Sequence, residues 1–137
     1  MQALLRCLLI SVLLIVFQGC VDNKAHVTVS SKTFEISAAI VPKFVKSSDR
    51  DCKISGIIII KNVTSIPQKF DTKYLFLKAN NDLTARTYKD SIVTEKVNSD
   101  TIVIEANSSL SFPAYWVYNV PAETKLKSLQ LLLQESE

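Results

Sequence analysis

The sequence predicts an all-β fold, an antiparallel β-sandwich of about seven to eight short strands that follows an N-terminal signal helix. Three observations support this prediction. Apolar segments recur at roughly 8–12-residue spacing with turn-forming residues between them. Several segments are rich in β-branched residues, whose restricted χ1 suits an extended backbone. The chain has only 2 glycines, so its turns depend on Asn, Asp, Ser and Pro.

The first element is an apolar segment near the N-terminus. Residues 7–17 follow Arg6 and are almost wholly apolar, with Ser11 as the exception. A bilayer-spanning helix needs roughly 20 apolar residues, whereas the core of a signal peptide has about 7–15. The segment therefore predicts a signal peptide that ends at the small residue Gly19 before Cys20. An ordinary cleaved signal with an incidental cysteine and an uncleaved anchor are the alternatives.

The end of this segment, Phe17-Gln18-Gly19-Cys20, resembles the lipobox of bacterial lipoproteins. Family members more often have Leu at the first of these positions and Ala or Ser at the second. The resemblance implies cleavage between Gly19 and Cys20, diacylglycerol on the Cys20 thiol and an N-acyl chain on the new amino group. It places the protein in the bacterial cell envelope. Val21 follows Cys20 where inner-membrane lipoproteins of Gram-negative bacteria usually have Asp, so the outer membrane is the implied location.

These features divide the chain into a signal peptide (1–19), a lipid-anchored tether (20–25) and one sandwich domain (26–137). Cleavage removes Arg6, one of 16 basic residues, and none of the 13 acidic ones, so the net charge falls from +3 to +2. This charge is too small to predict nucleic-acid binding. Cys52 then has no internal partner for a disulfide, and we expect it to be buried, since free cysteines usually are.

The first half of the domain contains the strongest strand. Residues 26–36 alternate apolar and polar side chains, and Pro42 and the polar residues 46–51 mark a loop. Residues 52–62 include four consecutive isoleucines. A continuous apolar run of this kind predicts a central strand that is covered on both faces or partly covered by loops.

The second half is predicted to alternate strands and turns. Pro113 lies within one strand and demands a bulge or an edge there. The segment 126–133 fits either a helix or a strand, and a strand is favoured because a turn at 121–123 brings it back against the sandwich. The expected elements are strands at 69–79, 83–89, 101–106 and 110–120, turns at 62–68, 80–82 and 107–109, and an ambiguous segment at 92–100.

The order of these features resembles the small immunoglobulin-like domains of uncharacterised bacterial envelope lipoproteins. A strand that ends in Asn62-Val63-Thr64 precedes an aromatic strand with Phe76-Leu77-Lys78. A short strand with Tyr88 follows, and a late aromatic strand runs through Trp116 to Pro121. The resemblance covers residues 53–133 and implies an immunoglobulin-like arrangement of the sandwich.

The sequence offers no constellation for catalysis. His26 is the one histidine, and no second His or Cys lies at zinc-ligand spacing. One glycine after residue 19 cannot build a phosphate-binding loop. Asp49 and Asp51 are expected to lie in a solvated loop. We therefore expect a protein that is not an enzyme, with no metal and no cofactor apart from the lipid on Cys20.

One aromatic stretch is a candidate binding surface. Tyr115, Trp116 and Tyr118 lie on a predicted strand, where alternate residues face opposite sides. One pair is expected to fill the core and the other to be exposed, and exposed Trp and Tyr are enriched in binding hot spots. The partner would be another envelope protein or an envelope polymer. The alternatives are an accessory lipoprotein of a secretion, pilus or conjugation machine, and an inhibitor or exclusion lipoprotein.

Overall fold

A computed structural model describes residues 23–90 and 100–134. These residues form an all-β structure of antiparallel sheets, which confirms the predicted fold class. The signal helix, Gly19, Cys20 and most of the ambiguous segment 92–100 lie outside the described residues. A 3₁₀ turn (Thr72–Tyr74) interrupts the strands. The strands of the described part are β1 (Ala25–Ser30), β2 (Phe34–Ile40), β3 (Val45–Lys46), β4 (Cys52–Asn62), β5 (Gln68–Asp71), β6 (Leu75–Ala79), β7 (Leu83–Arg86), β8 (Tyr88–Lys89), β9 (Thr101–Ile104), β10 (Ser109–Tyr118) and β11 (Leu129–Leu133).

The larger layer is a sheet with strand order β1-β2-β4-β10-β8, and β3 pairs with β4 beyond the end of β2. The predicted strand at 52–62 is β4, with the same bounds, and it lies in the centre of this sheet. Gly56 of β4 pairs with Ile40 of β2. A Cβ at this position would lie 2.7 Å from the carbonyl oxygen of Ala39, so a glycine is required there.

The second layer contains a three-stranded sheet of order β11-β6-β7 and a two-stranded sheet of β5 and β9. Side chains join the two layers across a common core. The Phe34 ring of β2 meets the Phe70 ring of β5 edge to face, with 5.1 Å between centroids. The Tyr118 hydroxyl of β10 donates to the Leu77 carbonyl of β6 over 2.7 Å. The arrangement is a sandwich whose core lies between the layers.

Two long predicted strands are each divided in the structure. The segment 26–36 forms β1 and β2, joined by a turn in which the Ser31 hydroxyl accepts from the backbone N–H of Thr33 and Phe34. The segment 69–79 is split by the 3₁₀ turn, and Asp71 caps this turn by accepting from the N–H of Lys73. The two parts, β5 and β6, belong to different sheets.

Two further boundaries differ from the predictions. The segment 83–89 also divides, because β7 pairs with β6 while β8 pairs with β10. Ala25 is part of β1, pairs with Ile40 and is buried. The first strand therefore begins one residue before residue 26, the predicted start of the sandwich domain.

The turns and the C-terminal strand follow the predictions. Asn80, Asn81 and Asn107 adopt positive φ, as the predicted turns at 80–82 and 107–109 require. In β11, Leu129, Leu131 and Leu133 are buried and the residues between them are half-buried. This alternation resolves the ambiguity at 126–133 in favour of a strand.

Pro113 causes no bulge in β10. The register between β10 and β4 is unbroken, and Pro113 pairs with Ile57. The Pro113 carbonyl accepts from the N–H of Asp90 over 2.9 Å. Because the N and C=O of one residue point to the same side of an extended strand, the proline nitrogen faces the short edge strand β8, where little pairing is lost.

Candidate binding face

The predicted aromatic site is divided between the core and the surface. Trp116 and Tyr118 are buried, with exposed fractions of 0% and 3%. The Trp116 indole N–H donates to the Thr87 hydroxyl over 2.8 Å, and that hydroxyl donates to the Leu75 carbonyl over 2.7 Å. The prediction that Trp116 and Tyr118 belong to a binding surface is therefore wrong. They are the core-filling pair of the strand, and burial raises the pKa of the Tyr118 hydroxyl above its usual value.

Tyr115 faces the opposite side of β10 and is half-buried. Its ring stacks on that of Tyr88 from the neighbouring β8, with 5.4 Å between centroids and 18° between planes. A cation lies over each ring: Lys53 Nζ is 5.4 Å from the Tyr115 centroid, and the Arg86 guanidinium is 4.3 Å from the Tyr88 centroid. Arg86 also forms a 3.0 Å ion pair with Asp100. These contacts hold both rings in place at the surface.

Two isoleucines extend the same surface along β4. Ile57 and Ile59 are 44% and 45% exposed, while Ile58 and Ile60 between and after them are fully buried. Of the two predicted alternatives, full cover on both faces is wrong for β4, because no second layer lies over its outward face among residues 23–90 and 100–134. We call the surface formed by Ile57, Ile59, Pro113, Tyr88 and Tyr115 the outer patch.

The side chains directly beside Ile57 and Ile59 in the sheet are small. Ile57 lies between Ala39 and Pro113 in the sheet, and Ile59 lies between Ser37 and Ser111. Small neighbours leave the isoleucine side chains standing above the sheet surface. The result is a flat apolar surface with fixed aromatic rings at one end, a type of surface that suits contact with a macromolecule better than enclosure of a small molecule.

The sequence contained only part of this information. Tyr115 was in the predicted surface, whereas Ile57, Ile59 and Tyr88 were not. Four consecutive isoleucines hide the alternation that would show which face is outward. A usable signal lies in the neighbouring strands, where Ser37, Ala39 and Ser111 supply small or polar side chains opposite the isoleucines.

Two open depressions lie on the surface of the described residues. One, of about 480 Å³, lies between the loop before β4 and the segment after β10, and Asp49, Asp51 and Glu123 line it. The Asn119 side-chain amide bridges the two segments by donating to the Arg50 carbonyl and to Asp51 Oδ1. The other, of about 380 Å³, lies beside Glu35 and Lys61 and borders the outer patch at Ile59. Within residues 23–90 and 100–134, no group of three or more His, Cys, Asp or Glu is placed to hold a metal ion.

Three other predicted positions have clear places in the fold. His26 is exposed on β1. The Cys52 thiol is buried, as expected, and donates to the Val120 carbonyl over 3.4 Å. Asn62 is fully buried, and its amide donates to the carbonyls of Ile66 and Ile104. Asn62 therefore organises the predicted turn at 62–68.

The residues of the predicted lipidation site, Gly19 and Cys20, lie outside the described part of the chain. Among the residues that the structure describes, no helix has the length and hydropathy needed to cross a bilayer. Comparisons with protein-family models, with curated proteins and with solved structures found no match to this chain.

Proposed function

We propose that the protein is a lipid-anchored component of the bacterial cell envelope, most consistent with the outer membrane, whose sandwich domain binds another envelope protein through the outer patch. It acts without catalysis. The lipid on Cys20, as the lipobox resemblance implies, is its covalent anchor. The observation that supports binding is the exposure of Ile57 and Ile59 beside the fixed rings of Tyr88 and Tyr115.

The composition of the outer patch supports a protein partner. Contiguous exposed apolar surface is uncommon on soluble domains and often marks an interaction site. Aromatic residues are enriched at the centre of protein interfaces, and a ring already fixed by stacking loses little conformational entropy on binding. Tyr88 and Tyr115 have this property, since each ring is held by the other and by a cation.

The mechanism is confinement. Two or three acyl chains on one cysteine hold a protein on a membrane, since each buried CH₂ contributes about 0.8 kcal/mol. Confinement to one surface raises the effective concentration of the domain near other envelope proteins. A contact through the outer patch that is weak in solution becomes useful under these conditions.

Site-specific photocrosslinking tests the proposal. A photoreactive amino acid at Ile59 of the full-length protein, expressed in the cells of origin, should give a discrete crosslinked adduct in the membrane fraction. The matched control has the same amino acid at Val103, which is 54% exposed on β9 in the other layer. Ile57→Asp in the Ile59-labelled protein should remove the adduct, because a charge in the centre of the outer patch opposes desolvation.

The outcome also separates the proposal from its alternatives. Equal adducts at positions 59 and 103, or none at position 59, would contradict binding through the outer patch. An adduct with a subunit of a secretion, pilus or conjugation machine would identify the protein as an accessory lipoprotein. An adduct with an envelope enzyme or receptor, together with loss of that partner's activity, would identify an inhibitor or exclusion protein.

A further inference from the structure

We propose that the segment between β2 and β4 is a membrane-contact tip that binds anionic lipid. The sandwich then has this end against the bilayer, and the outer patch faces parallel to the membrane plane. The tip consists of Val41, Lys43, Val45 and Lys46. This inference rests on the proposed lipid anchor at Cys20, and it adds an orientation and a lipid partner that the anchor alone does not specify.

The first argument is the distance from the anchor to the fold. Only residues 21–24 separate Cys20, the first residue of the predicted mature chain, from β1, which begins at Ala25. Fully extended, the chain from Cys20 to Ala25 spans at most about 17 Å. The end of the sandwich at which β1 begins is therefore held close to the bilayer, and the opposite end lies farther from it.

The strand register places the tip at this same end. Ala25 pairs with Ile40, and Ile40 pairs with Gly56. Val45 pairs with Lys53, which lies three residues nearer the start of β4. At about 3.4 Å per residue, Val45 extends about 10 Å beyond the start of β1, on the side away from the rest of β1. The tether is thus long enough for the tip to reach the lipid surface.

The tip combines apolar and basic side chains in a fixed conformation. Val41 and Val45 are 38% and 44% exposed, and Lys43 and Lys46 are exposed beside them. Phe44 is buried and meets the Tyr118 ring edge to face, with 5.5 Å between centroids. The Val41 N–H donates to the Ser55 carbonyl over 2.9 Å. These contacts attach the segment to the core, so the valines are held outward.

This composition fits an anionic lipid surface. Exposed apolar side chains can enter the interfacial region, while the lysine stems extend along them and place the ammonium groups among the headgroups. Lysines close to an anionic leaflet are attracted to it, and the attraction declines within a Debye length. Asp49 and Asp51 follow the tip, and Asp51 accepts hydrogen bonds from Ser48 and Asn119, so its carboxylate is directed toward the loop.

Fluorescence quenching in proteoliposomes tests this orientation. The full-length protein is purified from membranes with its acyl chains and given one new cysteine at Val45, Ile59 or Ile66. Ile66 is 58% exposed in the turn between β4 and β5, at the opposite end of the sandwich. Each variant is labelled with a fluorophore and reconstituted into phosphatidylglycerol–phosphatidylcholine vesicles that contain a nitroxide-headgroup lipid. The unsubstituted protein controls for labelling of the buried Cys52.

The expected result is loss of fluorescence for the label at position 45 and full fluorescence for the labels at positions 59 and 66. Lys43→Glu with Lys46→Glu should reduce the quenching at position 45, because the tip then repels anionic headgroups. Quenching at position 59 or 66 equal to that at position 45, or no quenching at any position, would overturn the orientation.

Intact mass of the same samples separates the two proposals. An acylated protein without quenching at position 45 overturns the membrane-contact tip and leaves the lipid anchor intact. An unacylated protein overturns the anchor, and this inference with it. A third result concerns labelling of the cysteine at position 45. If it resists labelling in native membranes but its fluorophore is not quenched in vesicles free of other proteins, a protein covers the tip. That result would also overturn the lipid contact.

Discussion

At the scale of single residues, Tyr118 shows how a buried polar group constrains the fold. Its ring belongs to the core, and its hydroxyl donates a 2.7 Å hydrogen bond to the Leu77 carbonyl of the opposite layer. Only the neutral phenol can donate this bond. Burial without a cation therefore raises the pKa of Tyr118, because the phenolate would be desolvated.

The pKa of Tyr118 predicts a pH-dependent contribution to stability. The tyrosine of the unfolded chain ionises near its usual pKa of about 10, while the folded protein retains the proton. The unfolded state thus binds fewer protons above about pH 10, and the free energy of unfolding falls as the pH rises from there. Below that pH the contribution is fully present.

Tyr118→Phe is expected to lower the free energy of unfolding at pH 7 by about 1 kcal/mol, through loss of the hydrogen bond. Urea unfolding of both proteins at neutral pH and above pH 10 measures the effect. The difference in free energy of unfolding between the two proteins should be smaller above pH 10 than at neutral pH. Only the wild type loses stability through ionisation of this residue. A difference that does not change with pH would contradict the argument.

At the scale of elements, β11 provides the clearest test of an assignment that the sequence left ambiguous. Leu131 is buried and Leu132 is half-buried, as the alternation of a strand requires. Leu131→Ala should lower the free energy of unfolding by about 2–5 kcal/mol, the usual cost of such a truncation in a core. Leu132→Ala is the matched control.

Thermal or urea unfolding of the two variants measures this difference. Leu132→Ala should cost much less than Leu131→Ala, because its side chain faces away from the core. A similar decrease in the free energy of unfolding for both variants would indicate that the two side chains are equally buried. That result would contradict a strand with one face toward the core.

Several strand boundaries could be predicted because local chemistry determines them. The strand β4 begins at Cys52 and ends at Asn62, as predicted, although the predicted loop before it begins one residue later because Lys46 belongs to β3. The division of the segment 26–36 is marked by the phase of its alternation. Buried positions shift from odd numbers in β1 to even numbers in β2, as from Val29 to Phe34. Such a shift requires a turn or bulge between the two sets.

The outward face could not be predicted in the same way. In β10, Tyr115 and Val117 are as apolar as the pair Trp116 and Tyr118 that fills the core, so the pattern alone does not choose between them. The choice depends on which hydrogen-bond partners lie across the sandwich. Thr87 and the Leu77 carbonyl satisfy the two buried polar atoms, and these contacts are between residues far apart in sequence.

At the scale of the whole molecule, the proposals describe one arrangement. In the proposed arrangement, the short tether would hold the end that contains Val45 near the bilayer, and the central strands would extend away from it. The outer patch, about midway along β4, faces sideways and is available to a neighbouring envelope protein. The domain would act by position, through its attachment and its exposed face, and with no chemical step.

The central claim is lipid attachment at Cys20, and intact mass spectrometry of the protein from isolated membranes tests it most directly. The wild type should have the mass of a chain cleaved before Cys20 with two or three acyl chains added. Cys20→Ser should lose that modification and leave the membrane fraction. An unmodified wild-type mass with residues 1–19 still attached would contradict the lipid anchor, and with it the tethering mechanism and the orientation derived from it.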